Sequence, residues 1–225
     1  MSACIWCGRQ LQTTLTLAQI WRFTPIAQAT VCDACQHRFA AITSQHCPAC
    51  GRQQMDETVC LDCQRWSGIR LTNHAVYVYD AAMKTYMQQY KFQGDYALRV
   101  LMQAPLAAAL QREAYDVLVP IPVDQTTWRT RGFNQVTGWL RNQPFQQALL
   151  VRATHKERPQ SAKARADRLR TPQPFILAPN ANQLLRGQRV LLLDDVYTTG
   201  RTLRHAADQI YLGGAKAVTS LTLAR

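Results

Sequence analysis

Short apolar runs separated by polar segments recur along this chain and predict the strands of a parallel sheet. The clearest run is VLLL at residues 190–193, because four consecutive apolar residues are typical of a strand buried on both faces. Similar runs predict strands at residues 75–79, 116–123, 149–154 and 217–223. Helical patterns lie between them at residues 82–90, 96–113, 136–141 and 203–211, and Pro105 predicts a break or a new first turn in the second. Strands and helices that alternate in this way predict an α/β fold with a mostly parallel sheet flanked by helices.

Two carboxylates, Asp194 and Asp195, stand where the strand at 190–193 reaches solvent. The loop that follows is rich in small and hydroxyl residues: Thr198, Thr199, Gly200 and Thr202. Ligands of open α/β sheets bind at the carboxyl ends of the strands, and a helix N-terminus with hydroxyl donors favours a phosphate group. The paired carboxylates suit sugar hydroxyls or a magnesium ion instead. The stretch therefore predicts a site for a ribose 5-phosphate; the alternative is an ordinary turn in which Asp195 or Thr199 caps the helix.

A net charge of +12 and an apolar content of 47% narrow the classes of protein that this chain can be. The apolar content is enough for a core, and the charge indicates a polyanionic partner, either a phosphorylated substrate or a nucleic acid. A solvated basic surface without a partner is the alternative. No apolar run approaches the ~18 residues of a membrane span and no signal peptide is visible, so we expect a soluble, cytoplasmic protein with no membrane span. The common nucleotide loops, GxxxxGK(S/T) and GxGxxG between a strand and a helix, are absent from the sequence.

All eight cysteines precede the first predicted strand, and they form four CxxC pairs. Repeated CxxC pairs in a reducing compartment favour metal ligation over disulfides, and four of them supply two structural Cys4 zinc sites. Pairing in series gives one site with Cys4, Cys7, Cys32 and Cys35 and a second with Cys47, Cys50, Cys60 and Cys63. A cross-braced pairing stays open, and iron–sulfur ligation or a redox dithiol are the alternatives to zinc. We predict a double zinc-ribbon domain at residues 1–68 and a second domain at residues 69–225.

Basic segments and a glycine turn lie between the predicted strands. KFQGD at residues 91–95 predicts a turn at Gly94. RTRGFNQ at residues 129–135 predicts either a loop in which Arg129 and Arg131 neutralise a pyrophosphate or a basic surface turn. Residues 152–170 hold seven Lys or Arg residues without apolar periodicity, which predicts a long basic loop. That loop closes over a pyrophosphate, forms a nucleic-acid arm or is a solvated basic run.

Residues 190–203 resemble the signature with which type I phosphoribosyltransferases bind 5-phosphoribosyl 1-pyrophosphate (PRPP). The shared pattern is an apolar strand, two acids, a short spacer, TTG and a further threonine. By position, the resemblance assigns the ribose 2′- and 3′-hydroxyls to Asp194 and Asp195. It assigns the 5′-phosphate to a loop of seven residues: Val196, Tyr197, Thr198, Thr199, Gly200, Arg201 and Thr202. Arg201 stands where a small residue is more usual.

The chain as a whole is similar to the ComF family. The similarity is carried by the four CxxC pairs, KFQGD, VPIPV, RGFNQ, a basic loop with Gln160 and Arg168, and LLLDDVYTTGRTL; Thr171 takes the place of the usual Asn after Arg168. It implies a type I phosphoribosyltransferase fold preceded by a small double zinc ribbon. It also implies a role in natural competence, the uptake of DNA for transformation, with a helicase-like partner and incoming single-stranded DNA.

Three hypotheses about function follow. In the first, the protein is a phosphoribosyltransferase that binds PRPP with Mg²⁺, and its catalytic residues are Asp194, Asp195, Arg129 and Arg131. In the second, the same site is a non-catalytic sensor of PRPP or a nucleotide, within an accessory module that binds single-stranded DNA. The third is nucleobase salvage without a connection to DNA. No residue identifies the acceptor.

Overall fold

The computed structural model describes residues 3–11, 21, 30–66, 71–152 and 173–225. Its strands are β1 (Asn73–Tyr77), β2 (Val117–Pro120), β3 (Leu149–Val151), β4 (Phe175–Leu177), β5 (Arg189–Val196) and β6 (Ala217–Ala224). Its α-helices are α1 (Asp33–Gln36), α2 (Leu61–Gln64), α3 (Ala81–Met87), α4 (Val100–Leu110), α5 (Gln125–Arg131), α6 (Gln135–Trp139), α7 (Ala181–Leu185) and α8 (Arg201–Leu212). A π-helical turn (Gln88–Phe92) follows α3, and a 3₁₀ turn (Tyr96–Arg99) precedes α4. None of the helices in these segments combines the length and apolar character that a membrane span requires.

Four strands form a parallel sheet in the order β1-β6-β5-β2. Parallel neighbours end at the same edge, so the residues that follow β2 and β5 lie side by side there. β3 and β4 form a separate antiparallel pair. The apolar run predicted as a strand at residues 149–154 contributes Leu149–Val151 to this pair, and residues 153 and 154 lie outside the described part of the chain. The fold is therefore the predicted α/β class, with a parallel sheet flanked by helices.

Alternate residues of β5 belong to different hydrophobic cores, which explains why the run is apolar throughout. Val190 and Leu192 pack in one core with the buried face of α8, and Leu191 and Leu193 pack in the other with α3, α4 and α6. Side chains of a strand point alternately to the two faces, so a strand covered on both sides needs an apolar residue at every position. This is the pattern from which the sequence predicted the central strand.

The cysteine-rich segment contributes to both cores. Cys4 and Cys35 are buried in the core that contains Leu191. Cys47 and Cys50 are buried in the core that contains Leu192, as are the other two cysteines of their group. Residues 40–42 also pair antiparallel with the outer edge of β1 through Ala41 and Tyr77. The predicted boundary at residue 68 falls within residues 67–70, outside the described residues.

The predicted break at Pro105 is wrong, because α4 continues through this residue as one helix. Proline removes one helical N–H and costs roughly 3 kcal/mol in a helix interior. The helix buries four apolar side chains in the core: Leu101, Met102, Leu106 and Leu110. We conclude that this packing outweighs the local cost of the proline.

The loop predicted at residues 129–135 is instead a tight junction between two helices. Arg129 and Arg131 lie in the last turn of α5, which ends at Gly132 with a φ of +81°. Asn134 then caps α6, because its side chain accepts a hydrogen bond from the Val136 N–H at 2.8 Å. Capping residues at both ends turn what reads as a basic loop into helix ends.

Candidate functional site

A cavity of about 360 Å³ opens at the edge of the sheet where β2 and β5 end. The last residues of β5, the loop after them and the start of α8 form one wall, and the π-helical turn, α5 with its N-cap residue, and α6 form the opposite wall. The first wall contains Asp194, Asp195, Val196, Thr198, Thr199, Arg201, Thr202 and His205; the second contains Lys91, Phe92, Asp124, Thr127, Arg131 and Gln135. The cavity therefore lies where parallel α/β sheets bind ligands.

Asp194 and Asp195 are both buried at the floor of this cavity, 8% and 6% exposed. Asp194 Oδ1 accepts the Asp195 N–H at 2.8 Å, and Asp195 Oδ1 accepts the Val196 N–H at 2.7 Å. Asp195 Oδ2 also accepts the Lys91 ammonium and, at 2.9 Å, the Gln135 side-chain amide. The Lys91 ammonium therefore stabilises the negative charge of Asp195 by direct contact, and it contacts Asp195 rather than Asp194.

This difference separates the pKa values of the two carboxyl groups. Burial, with the adjacent negative charge of Asp195, raises the pKa of Asp194. Burial also acts to raise the pKa of Asp195, but the Lys91 ammonium and the hydrogen bonds from Val196 and Gln135 together outweigh it, and the pKa is lowered. Asp195 therefore stays ionised at neutral pH, while Asp194 gains most from a new donor or cation in the cavity.

The loop between β5 and α8 supplies hydroxyl groups and a helix N-terminus to the cavity. Thr198, Thr199, Arg201 and Thr202 line it, and Gly200 precedes the helix with a φ of +77°. A side chain at Gly200 would place its Cβ 2.1 Å from the Tyr197 hydroxyl oxygen, so only glycine fits. Tyr197 is buried in the core behind the loop, and neither Tyr197 nor Gly200 lines the cavity.

The structure brings only one of the two predicted arginines into this site. Arg131 is half-buried in the cavity wall, where it donates to the Gln135 side-chain oxygen, and burial lowers its pKa. Arg129 is exposed and does not line the cavity. Residues two apart on a helix point about 200° away from each other, so α5 cannot present both on one face. Arg129 therefore has no support from the geometry as a catalytic residue.

Lys91 and His205 line the cavity, and the sequence did not single out either of them. Lys91 belongs to KFQGD, which was interpreted as a turn, but the π-helical turn carries the lysine across to Asp195. Single π-helical turns are frequent at functional sites, but no sequence pattern distinguishes such a turn from an α-helical one. His205 lies one turn into α8 on the cavity side, and its spacing from Arg201 and Thr202 was the available signal. The predicted basic loop lies outside the described residues from 153 onward, with Gln160, Arg168 and Thr171.

The eight cysteines form two groups, each able to hold one metal ion. The ligand atoms within each group all lie within 4.8 Å of one another. The groups are Cys4, Cys7, Cys32 and Cys35, and then Cys47, Cys50, Cys60 and Cys63. This is the serial pairing rather than the cross-braced one, and four thiolates at such distances could hold zinc. All eight are free thiols, without a disulfide.

A parallel sheet that carries two acids and a hydroxyl-rich loop at the end of its central strand defines a phosphoribosyltransferase-like fold. Residues 149–225 match the family model described as "Phosphoribosyl transferase domain". The chain is 32% identical over 224 residues to the competence protein ComFC of Streptococcus pneumoniae, with 99% of both chains covered. It is 31% identical over 234 residues to ComFC of Bacillus subtilis, covering 99% of this chain and 94% of that protein. The chain belongs to the ComF family of competence proteins.

A solved structure described as the allosteric regulatory enzyme of purine biosynthesis also aligns, over 61% of this chain and 30% of its own. Its sequence identity is 16% and its TM-score is 0.38. This likeness is too weak to support a conclusion about the fold or the activity.

Proposed function

We propose that this protein binds PRPP with Mg²⁺ in the cavity between α8 and α5 and transfers its phosphoribosyl group in natural competence. The observation that carries the proposal is the buried pair Asp194 and Asp195 in one cavity with the threonine loop at the start of α8. A diol bound to the carboxylates and a phosphate bound to the loop are the two ends of a ribose 5-phosphate. The competence role is supported by the names of the relatives, which cover nearly the full chain.

The side chains opposite the loop suit the pyrophosphate end of PRPP. Arg131 and Lys91 present cationic groups from separate elements of the cavity wall. Negative charge grows on the pyrophosphate as its bond to the ribose breaks, and fixed donors aimed at such charge contribute about 2.7–4 kcal/mol each in other enzymes. Arg131 is held by Gln135, so little reorganisation is needed when that charge develops.

The acidic pair also has the donor chemistry that Mg²⁺ prefers, since carboxylate oxygens bind it directly or through water. When bound, Mg²⁺ neutralises charge on the departing pyrophosphate. Asp194 and Asp195 would hold it together with the ribose hydroxyls. We propose zinc, as structural metal, for the two cysteine groups, because four thiolates per site favour it.

The finer part of the competence proposal is an action on single-stranded DNA with a helicase-like partner. The support is a net charge of +12 and the exposed aromatic side chain of Trp128, which is 54% exposed. Tyr96 is also exposed, and the Arg99 guanidinium lies 4.2 Å from its ring centroid. Aromatic rings among cations suit stacked bases. The test is to measure the affinity for single-stranded DNA at several salt concentrations. A slope near zero for log affinity against log salt concentration would argue against phosphate contacts.

Titration calorimetry with PRPP and Mg²⁺ tests the proposed site. We expect the wild type to bind and the double variant Asp194→Asn/Asp195→Asn to lose binding. Asn keeps the size and the acceptor oxygen that each backbone N–H uses, so these two hydrogen bonds are retained. Asp116→Asn is the matched control, because Asp116 pairs with Arg189 on the surface, away from the cavity.

If the double variant binds as tightly as the control, the assignment of the ribose to these carboxylates is wrong. Release of pyrophosphate in the presence of nucleobase acceptors then separates an enzyme from a sensor. Binding without release under any acceptor would favour the sensor.

A further inference from the structure

Arg225 connects the second cysteine group to the loop between β5 and α8. Its Nε donates to Cys50 Sγ at 3.4 Å. Its Nη1 donates to two loop carbonyl oxygens, to Tyr197 at 3.1 Å and to Thr198 at 3.0 Å. The same guanidinium lies 4.9 Å from the centroid of the Tyr197 ring. One side chain thus contacts a metal-ligating sulfur and two consecutive peptide units of the loop.

The backbone of Arg225 is fixed, so these contacts have a defined origin. Its N–H donates to the Tyr77 carbonyl and its own carbonyl accepts the Tyr79 N–H, both at 3.0 Å. Next to it, the Ala224 carbonyl accepts the Tyr197 N–H, also at 3.0 Å. The guanidinium is therefore anchored at the end of the sheet and reaches from there to the loop and to Cys50.

The direction of the two loop carbonyls matters for anion binding. In a trans peptide the C=O and the following N–H point in opposite directions. Because the Tyr197 and Thr198 carbonyls point at Arg225, the N–H groups of Thr198 and Thr199 point away from it. Thr198 and Thr199 both line the cavity. Arg225 thereby orients two N–H donors of the proposed phosphate loop.

We propose that Arg225 is a positioning residue through which the second cysteine group orders the phosphate loop, and that affinity for the 5′-phosphate depends on this link. The inference rests on the proposed function, because it takes the loop as the phosphate site. A metal ion bound at the second group would hold the Cys50 thiolate in place, and a charged sulfur is a strong partner for a guanidinium. The first cysteine group packs in the other core and has no such connection among the described residues.

The test compares Arg225→Gln, Arg225→Lys and a control, Arg189→Gln, in the full-length chain. Arg189→Gln also removes one positive charge, from an arginine that pairs with Asp116 at the other end of β5. Calorimetry measures affinity for two probes, ribose 5-phosphate and Mg²⁺–pyrophosphate, and elemental analysis measures zinc. We expect Arg225→Gln to lower the affinity for ribose 5-phosphate about tenfold, which is the usual effect of losing a charged hydrogen-bonding group. Pyrophosphate affinity and zinc content should match the control, and Arg225→Lys should fall between.

Hydrogen exchange of the loop amides gives a readout that needs no ligand. Amides of residues 198–200 should exchange faster in Arg225→Gln than in Arg189→Gln. Unchanged exchange and unchanged ribose 5-phosphate affinity would overturn the proposal, and so would an equal loss of affinity for both probes, because that indicates a general loss of structure. If the wild type binds neither probe while the loop amides still respond, the proposed function fails and the link through Arg225 stands.

Discussion

Adjacent residues of the same type have different properties in this protein, because their surroundings differ. Asp194 and Asp195 read alike in the sequence, but Lys91 contacts only Asp195. The sequence predicted both acids and the threonine loop, since their order along the chain is the signal. It could not predict Lys91, or separate Arg131 from Arg129, because these depend on helix geometry and on which face packs against the sheet.

The raised pKa of Asp194 predicts a pH-dependent stability. Burial first, and the charge of Asp195 second, raise this pKa, so the folded state favours the protonated acid. The free energy of unfolding should therefore fall as the pH rises above about 4, where the unfolded carboxyl ionises, and continue to fall until the raised folded pKa is passed. Asp194→Asn removes this loss, so it should gain stability relative to wild type between about pH 5 and pH 9 in urea denaturation. A stability difference that is constant with pH would contradict the assignment.

Gly200→Ala should disable the loop through two separate effects. The φ of +77° costs an alanine about 1–2 kcal/mol, and the new Cβ would meet the Tyr197 hydroxyl oxygen at 2.1 Å. Gly187→Ala is the matched control, since Gly187 has a φ of +74° and open space around it. Both variants should lose stability, but only Gly200→Ala should also lose ribose 5-phosphate binding in calorimetry. Equal binding by the two variants would show that Tyr197 yields without moving the loop.

Helices and strands differ in how much of them the sequence reveals. The strand β5 was predictable because its residues 190–193 are all apolar and are covered on both faces. β4 was not, because three residues, Phe175–Leu177, carry too little periodicity to be distinguished from a loop. The junction of α5 and α6 was also missed, since Gly132 and Asn134 are as typical of a loop as of two caps.

Pro105→Ala tests the conclusion that packing holds α4 together. Alanine restores one helical hydrogen bond and is roughly 3 kcal/mol more favourable than proline in a helix interior, less up to about 1 kcal/mol for the more flexible unfolded chain. We therefore expect the free energy of unfolding to rise by about 1–3 kcal/mol, with no change in ligand affinity. Chemical denaturation measures it. A fall in stability would mean that the packing of the Pro105 ring contributes more to stability than the restored hydrogen bond does.

At the scale of the whole molecule, the two cysteine groups are parts of the cores rather than an appendage. Small cysteine-rich segments fold with their metal, and here each group shares a core with one face of the sheet. The sequence predicted the ligands and the serial pairing, because CxxC repeats are a local signal. It could not show that the cysteine-rich segment packs into the cores, because contacts between that segment and the sheet produce no pattern in either part of the sequence.

Removal of metal should consequently unfold the chain as one unit. We expect elemental analysis to give two zinc ions per chain, and scanning calorimetry with a chelator to lower the temperature of a single transition. The physical reason is that each group contributes buried residues to a core that also contains the sheet. A separate unfolding transition at lower temperature, with the main transition unchanged, would show instead that the cysteine-rich segment folds independently.

The sharing of one core by Cys4 and Leu223 has a consequence for how the chain is made. Cys4 and Leu223 are far apart along the chain but belong to one core, so the cysteine-rich segment cannot complete its packing until β6 has been synthesised. Until β6 is in place, the Cys4 thiol therefore lacks the burial that the finished core gives it.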